Sequence, residues 1–396
     1  MSYFSLIYLG LFSLTISVLS FFNIIYSYYF NLYLNQNSYI YSLILSLIFG
    51  LIFLIKKKDN YKITIYHKIL TVISGYFILP LIISIPFYFS IYNISFLDSY
   101  FEAISGFTST GFTIFYNIKH LDESLILWRS SSQWIGGLYF LFSIILLIDI
   151  FDNNLKKSLT NFLSFNTSET LKQSSKILIL YTLLTFFIFV ILKIFDLRSL
   201  DSFNLAMTLI SSGGFIPVNN LSSIINTNTK EIVFSLTMLV SFFSIFLILI
   251  IIGGSFFSTS SGIRLIKLYA LFKFAINNLI SHVKPKNIFL NKHFFLNINF
   301  EKDEIFRYFL SVLIFIISLF ILTSFLTISG ISLESSFKLS ILTLMNTVNS
   351  SMHGLSDFNF QELQFFTKYY LIFFMIIGRV ELLTLLIICK KFLFKS

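Results

Sequence analysis

Apolar stretches long enough to cross a bilayer recur from one end of this chain to the other, more than a single soluble core could bury. A spanning helix needs about 20 predominantly apolar residues. About eight segments approach or exceed that length: 3–30, 39–55, 65–90, 124–149, 174–196, 231–253, 307–329 and 368–389. With only 12% charged residues and a mean hydropathy of +0.85, an ordinary soluble domain is excluded. The expected fold class is an all-α polytopic membrane protein. The first segment lacks a basic leader region and a small-residue cleavage site, so it reads as a helix rather than a signal peptide.

The net charge of +10 would suit a polyanion partner, but its placement argues for orientation in a membrane. Lys56, Lys57, Lys58 and Lys62 follow the second span, and Lys156, Lys157, Lys172 and Lys176 lie between the fourth and fifth. Arg264, Lys267, Lys273, Lys284, Lys286, Lys292 and Lys302 separate the sixth from the seventh, and Lys390, Lys391 and Lys395 follow the last. The alternate connections hold only Lys119, Arg198, Lys230, Lys338 and Lys368. The positive-inside rule then puts both termini in the cytoplasm of a multi-pass cell (inner or plasma) membrane protein. Membrane lipid is the expected surrounding, and nucleic acid is not an expected partner.

Enzymatic chemistry finds little to work with. The single cysteine, Cys389, leaves no intrachain disulfide and no multi-cysteine metal site. His67, His120, His282, His293 and His353 form no close ligand pair, and neither a phosphate-binding glycine loop nor a nucleophile elbow is present. No organic cofactor is expected.

Between the third and fourth spans lies Ser105-Gly106-Phe107-Thr108-Ser109-Thr110-Gly111-Phe112-Thr113, a run of hydroxyls and glycines too short to cross. Irregular backbone at membrane depth is tolerated only where it is buried in protein or lines a water-filled path. Glycine frees the backbone to turn its carbonyls, and carbonyl rings can replace an ion's hydration shell. The plan of span, short descent, polar turn and span occurs three times. The descents are Asp98–Phe107, Leu200–Leu209 and Glu334–Leu344, and the turns Thr108–Thr113, Ile210–Phe215 and Asn346–Ser351. Each descent is roughly three helical turns, suited to a re-entrant helix. The tips read Ser109-Thr110-Gly111-Phe112, Ser212-Gly213-Gly214-Phe215 and Thr347-Val348-Asn349-Ser350. A small-residue helix-packing patch is the plainer explanation of any one tip; recurrence in one context favours an ion path.

These residues carry a resemblance. Phe101-Glu102-Ala103-Ile104-Ser105-Gly106-Phe107-Thr108-Ser109-Thr110-Gly111, then Leu127-Trp128-Arg129 and Gln133-Trp134-Ile135-Gly136-Gly137, is similar to the first pore repeat of the Trk/Ktr/HKT potassium-transporter superfamily, closest to its TrkH branch. The stretch from Ile252 through Gly253, Gly254, Ser255, Phe256, Phe257, Ser258, Thr259, Ser260, Ser261 and Gly262 to Arg264 resembles that family's broken inner helix, and Gly378-Arg379-Val380-Glu381 its last inner helix. The likeness runs from about residue 65 to 390.

The resemblance implies K+-channel-like M1–P–M2 units around a central pore, with monovalent-cation (first of all K+) uptake as the function. It implies a filter at Ser109, Thr110, Gly111, Ser212, Gly213, Gly214, Val348 and Asn349, with K+ held at Thr110, Gly111, Gly213 and Gly214. A gate is implied at Gly253, Gly254, Ser258, Thr259, Ser260, Ser261 and Gly262, and a charge at the pore at Arg379. A homodimer and a cytoplasmic nucleotide-binding regulatory subunit of TrkA/KtrA type are the implied partners. The expected division is 1–64 (two N-terminal helices), 65–150 (first repeat), 169–280 (second repeat with the broken helix) and 305–396 (last repeat).

The family has four such repeats and this chain reads as three. Residues 169–215 resemble the second repeat, while 231–262 resemble the exit of the third, so about one repeat is missing between them. The last tip also sets Asn349 where the family has glycine, and asparagine reaches positive φ less freely. Three strands make a more open carbonyl cage, so cation permeation is expected without strict K+ selectivity. The alternative is a non-conducting or auxiliary subunit that pairs with another pore protein.

Individual charges carry expectations of their own. Arg379 lies deep in an apolar run, facing a pore or gating loop, or else paired to a carboxylate. Glu102 either concentrates cations at a mouth or binds backbone amides that hold the filter. Trp128 and Arg129 read as interfacial anchors.

Overall fold

The computed structural model describes residues 3–55, 65–151, 170–238, 268, 271–276, 279, 302–347, 355 and 358–380. Two long helices open the chain, α1 (Tyr3–Tyr29) and α2 (Gln36–Ile55). They approach closely because each brings a glycine to the contact: a Cβ on Gly50 would lie 2.7 Å from Leu14, and one on Gly10 3.1 Å from the Gly50 carbonyl oxygen. Small residues of this kind let helices pack in lipid, where no hydrophobic force drives association. Ser20 adds a hydroxyl bond to Ser42 at 3.2 Å.

Three units follow, each a long helix and then a short one. α3 (Ile65–Ser90), α4 (Phe96–Phe107) and α5 (Glu123–Phe151) make the first. α6 (Thr170–Ile194) and α7 (Ser199–Ile210) begin the second, and residues 228–238 are the helical start of its exit. α8 (Lys302–Ile328), α9 (Leu333–Met345) and α10 (Phe365–Val380) make the third. Five described helices are long and apolar enough to cross a membrane: Ile7–Tyr29, Tyr33–Leu54, Ile65–Ser90, Ile177–Ile194 and Ile305–Ile328.

Two of the three short helices begin at side-chain caps, while α7 starts after Arg198 without one. Ser95 accepts the Asp98 N–H at 3.1 Å and Ser332 that of Ser335 at 3.4 Å, satisfying donors that no helical carbonyl can reach. Inside the first unit, α5 is the spine. The Trp128 indole donates to the Ile83 carbonyl at 3.0 Å, and the Tyr139 hydroxyl reaches the carbonyls of Thr71 and Val72, each at 3.0 Å. Tyr139 fits only because residue 75 is glycine, where a Cβ would sit 1.9 Å from the phenol oxygen. The lipid-length helices keep large apolar side chains on their outer faces, among them Phe22, Phe186 and Phe320, which accounts for part of the aromatic excess.

Candidate functional site

The three short helices end in the same backbone motif. Ser109, Ser212 and Asn346 each take the left-handed conformation, with φ of 55°, 50° and 47°. Their N–H groups bond back three residues, to Gly106 (2.8 Å), Leu209 (3.0 Å) and Thr343 (3.2 Å). The next N–H bonds back five: Thr110 to Ser105 (2.9 Å), Gly213 to Thr208 (2.8 Å) and Thr347 to Leu342 (3.0 Å). A paired closure with a left-handed residue is how a helix satisfies its last carbonyls before the chain turns away.

In backbone conformation Asn346 and Thr347 stand where Ser109 and Thr110 stand. The expected filter residues Val348 and Asn349 lie outside the described residues. Sequence reasoning missed Asn346 as the turn's left-handed residue, although asparagine tolerates that conformation better than most. Gly111 also has positive φ, at 77°.

The first turn is held from behind by a buried ion pair. Glu102 Oε1 accepts from Arg129 Nε at 2.9 Å, and both side chains are almost wholly buried. The carboxylate also accepts the Ile114 N–H at 3.0 Å and the Thr113 hydroxyl at 3.1 Å, while Arg129 Nη2 donates to Thr113 at 3.0 Å. Of the two roles open to Glu102, the structure shows the one that binds backbone. Arg129 and Trp128, expected as interfacial anchors, are instead 1% exposed. The reason is the charge partner: a guanidinium is held inside when a carboxylate meets it with hydrogen bonds.

The first turn also meets the third unit. Asn346 Nδ2 donates to Thr110 Oγ1 at 2.7 Å and to the Met375 carbonyl at 3.0 Å. Arg379 Nη2 donates to the Ser109 hydroxyl at 3.3 Å, with its guanidinium 4.0 Å from the Phe140 ring centroid. Lys368, at the start of α10, pairs with Asp98 in the first turn of α4 and donates to the Gln361 carbonyl at 2.9 Å. On the other side the second turn is docked by Phe215, whose ring lies 4.2 Å from the Arg129 guanidinium and whose N–H donates to Gln133 Oε1 at 3.2 Å. A recess of about 260 Å³ opens above the turns, lined by Gly111, Phe112, Gly214, Phe215 and Phe360 among others. The sequence placed Gln133 in a motif without a role and offered no sign that Lys368 reaches Asp98.

Among the described residues, no hydrogen bond ends on the carbonyls of Thr110, Gly111, Gly213 or Gly214. The expected gate (Gly253, Gly254, Ser258, Thr259, Ser260, Ser261 and Gly262) lies outside the described residues, as does Glu381. Among the described residues no His, Cys, Asp and Glu cluster could hold a metal ion.

Short buried helices closed by one repeated turn, each following a long apolar helix, define a polytopic membrane protein built of M1–P–M2 units. The family model described as TrkH, cation transport protein, matches residues 232–394. An uncharacterized cation transporter of Methanocaldococcus jannaschii is 29% identical over 270 residues, covering 65% of this chain and 54% of that one. The Trk system potassium uptake protein TrkI of Halomonas elongata is 38% identical over 66 residues, covering 17% of this chain and 12% of its own length. The matches thus span about half or less of these curated relatives. The crystal structure of the potassium transporter TrkH from Vibrio parahaemolyticus shares the fold, with a TM-score of 0.75 at 16% identity, over 97% of this chain and 98% of that one. The chain thus resembles TrkH-type cation transporters in sequence over its C-terminal part and shares the TrkH fold along its length.

Proposed function

We propose that this chain carries monovalent cations, K+ first among them, through a path lined by Thr110, Gly111, Gly213 and Gly214. The observation that supports this most is the set of four carbonyls at those positions that accept no hydrogen bond, on turns fixed by identical helix closures. Thr110 and Gly111 are buried and Gly213 and Gly214 half-buried, and carbonyls withdrawn from water without a partner are costly unless something else satisfies them. A partly dehydrated cation is a fitting occupant, because carbonyl oxygens replace its water. The TrkH family model that matches residues 232–394 and the names of the relatives agree with this reading.

In the same reading the division into 1–64, 65–150, 169–280 and 305–396 stands as two leading helices and three pore repeats, with both termini cytoplasmic. The stretch from Gly253 to Gly262 would gate the path, and Arg379 would set the charge beneath the first turn. A homodimer with a nucleotide-binding regulatory subunit is the matching assembly. The test is K+ uptake in a strain lacking its own transporters, comparing the chain with Gly111→Asp. Gly111 has φ of 77°, so the variant strains the turn and adds a carboxylate beside the path. Rescue by the chain and loss in the variant are expected. Equal rescue by both would remove Gly111 from the filter, and no rescue by either would remove the function.

A further inference from the structure

One face of α5 holds two turns at once. Arg129 and Gln133 are four residues apart, one helical turn, and therefore share that face. Arg129 reaches Glu102 and Thr113 behind the first turn, while Gln133 Oε1 takes the Phe215 N–H at the end of the second. The Phe215 ring is itself wedged into the first unit. It lies 4.2 Å from the Arg129 guanidinium, and a Cβ on Gly106 of α4 would come within 3.1 Å of it. Gln133 also fills the space beside residue 213, where a Cβ would meet its Oε1 at 2.2 Å. A larger residue at that position would displace the Gln133 amide of another unit.

We infer that Gln133 is a positioning residue that sets the spacing between the first and second turns, and through it the discrimination among monovalent cations. The Phe215 N–H and the Gly214 carbonyl share one planar peptide unit, so the bond that fixes the first also fixes where the second points. The role belongs to the amide oxygen. Among the described residues Gln133 Nε2 is buried with no hydrogen-bond partner, as is Nη1 of Arg129 one turn away. A carboxylate in place of the amide would keep the acceptor, lose the stranded donor and gain a neighbouring guanidinium. The inference rests on the cation-carrying function proposed above.

The test compares Gln133→Glu with Gln133→Met, which has similar length and no comparable acceptor. Rb+ and Na+ uptake are measured in the transporter-deficient strain and normalised to protein in the membrane. Gln133→Met is expected to lower the Rb+ to Na+ ratio at least about tenfold, and Gln133→Glu to hold it within about twofold. An unchanged ratio in Gln133→Met overturns the inference, and so does equal loss in both variants. Should the wild-type chain carry no cation, the proposed function fails, and with it the discrimination assigned to Gln133. The spacing role is then decided on the purified protein by amide exchange at Phe215. Exchange about tenfold faster in Gln133→Met alone supports that role, and equal exchange in all three proteins overturns it.

Discussion

The side-chain amide of Asn346 donates to the hydroxyl of Thr110 at 2.7 Å, joining turns that lie 236 residues apart. Asn346 does this from a left-handed backbone, φ 47°, while its amide also caps the Met375 carbonyl. Backbone conformation and cross-unit bonding therefore depend on one side chain.

Asn346→Gly should cost about 1–2 kcal/mol, since it keeps the backbone and loses two buried hydrogen bonds. Asn346→Ala loses the same bonds and adds left-handed strain, a further cost of about 1 kcal/mol. Thermal melting of the purified protein in detergent orders the two. An alanine variant as stable as the glycine variant would show that the strain is absent.

Glu102→Ala should be among the most damaging single changes in the first unit. It strands the Arg129 guanidinium in a buried site and orphans the Ile114 N–H and the Thr113 hydroxyl. Breaking one side of such a pair costs about 3–5 kcal/mol. The expected result is loss of the monodisperse peak on size exclusion. A variant that purifies at the wild-type yield and melting temperature would contradict a structural role for the Glu102–Arg129 pair.

Lys368 and Asp98 link α10 to the capped start of α4. Lys368→Met should destabilise by about 2–3 kcal/mol, less than a fully buried pair because both side chains keep some exposure. The charge-swapped double variant should regain only part of that loss, since a lysine at residue 98 faces the positive end of the α4 dipole. A double-mutant cycle measures the coupling, expected to exceed about 1 kcal/mol. Strictly additive single losses would mean that the pair contributes nothing.

Two glycines separate packing from conformation. A Cβ on Gly136 would lie 1.9 Å from the Phe107 carbonyl oxygen, so Gly136→Ala pushes α5 from the end of α4 and should abolish uptake. Gly330 has nothing within 4 Å but a φ of +94°. Gly330→Ala should therefore cost about 1 kcal/mol and leave uptake per folded molecule unchanged. Uptake normalised to membrane protein distinguishes them, and a comparable loss in both would break the argument.

Local features were legible in the sequence and relations between units were not. The short helices expected at Asp98–Phe107, Leu200–Leu209 and Glu334–Leu344 are observed at Phe96–Phe107, Ser199–Ile210 and Leu333–Met345, because apolar runs bounded by polar residues are local signals. The left-handed turn residue of the third unit, Asn346, went unmarked because no glycine stands there to signal it. Arg129 was read as an anchor because its carboxylate partner lies 27 residues earlier, on another helix. Lys368 and Asp98 gave no hint of each other at a separation of 270. Burial turns such charges inward, and burial is a property of the assembled bundle.

The bonds that join the turns run from the second unit to the first and from the first to the third. That arrangement makes tolerance to mutation unequal. A lesion in α5 or in the Ser109–Gly111 turn reaches both neighbours, whereas one at Phe215 or Asn346 is felt across one seam. Arg379 of α10 touches Ser109 of the first turn, and the α5 face behind that turn also holds the second, so the first unit is the physical link between α10 and the second turn. Sequence drift should accordingly be slowest in the first unit.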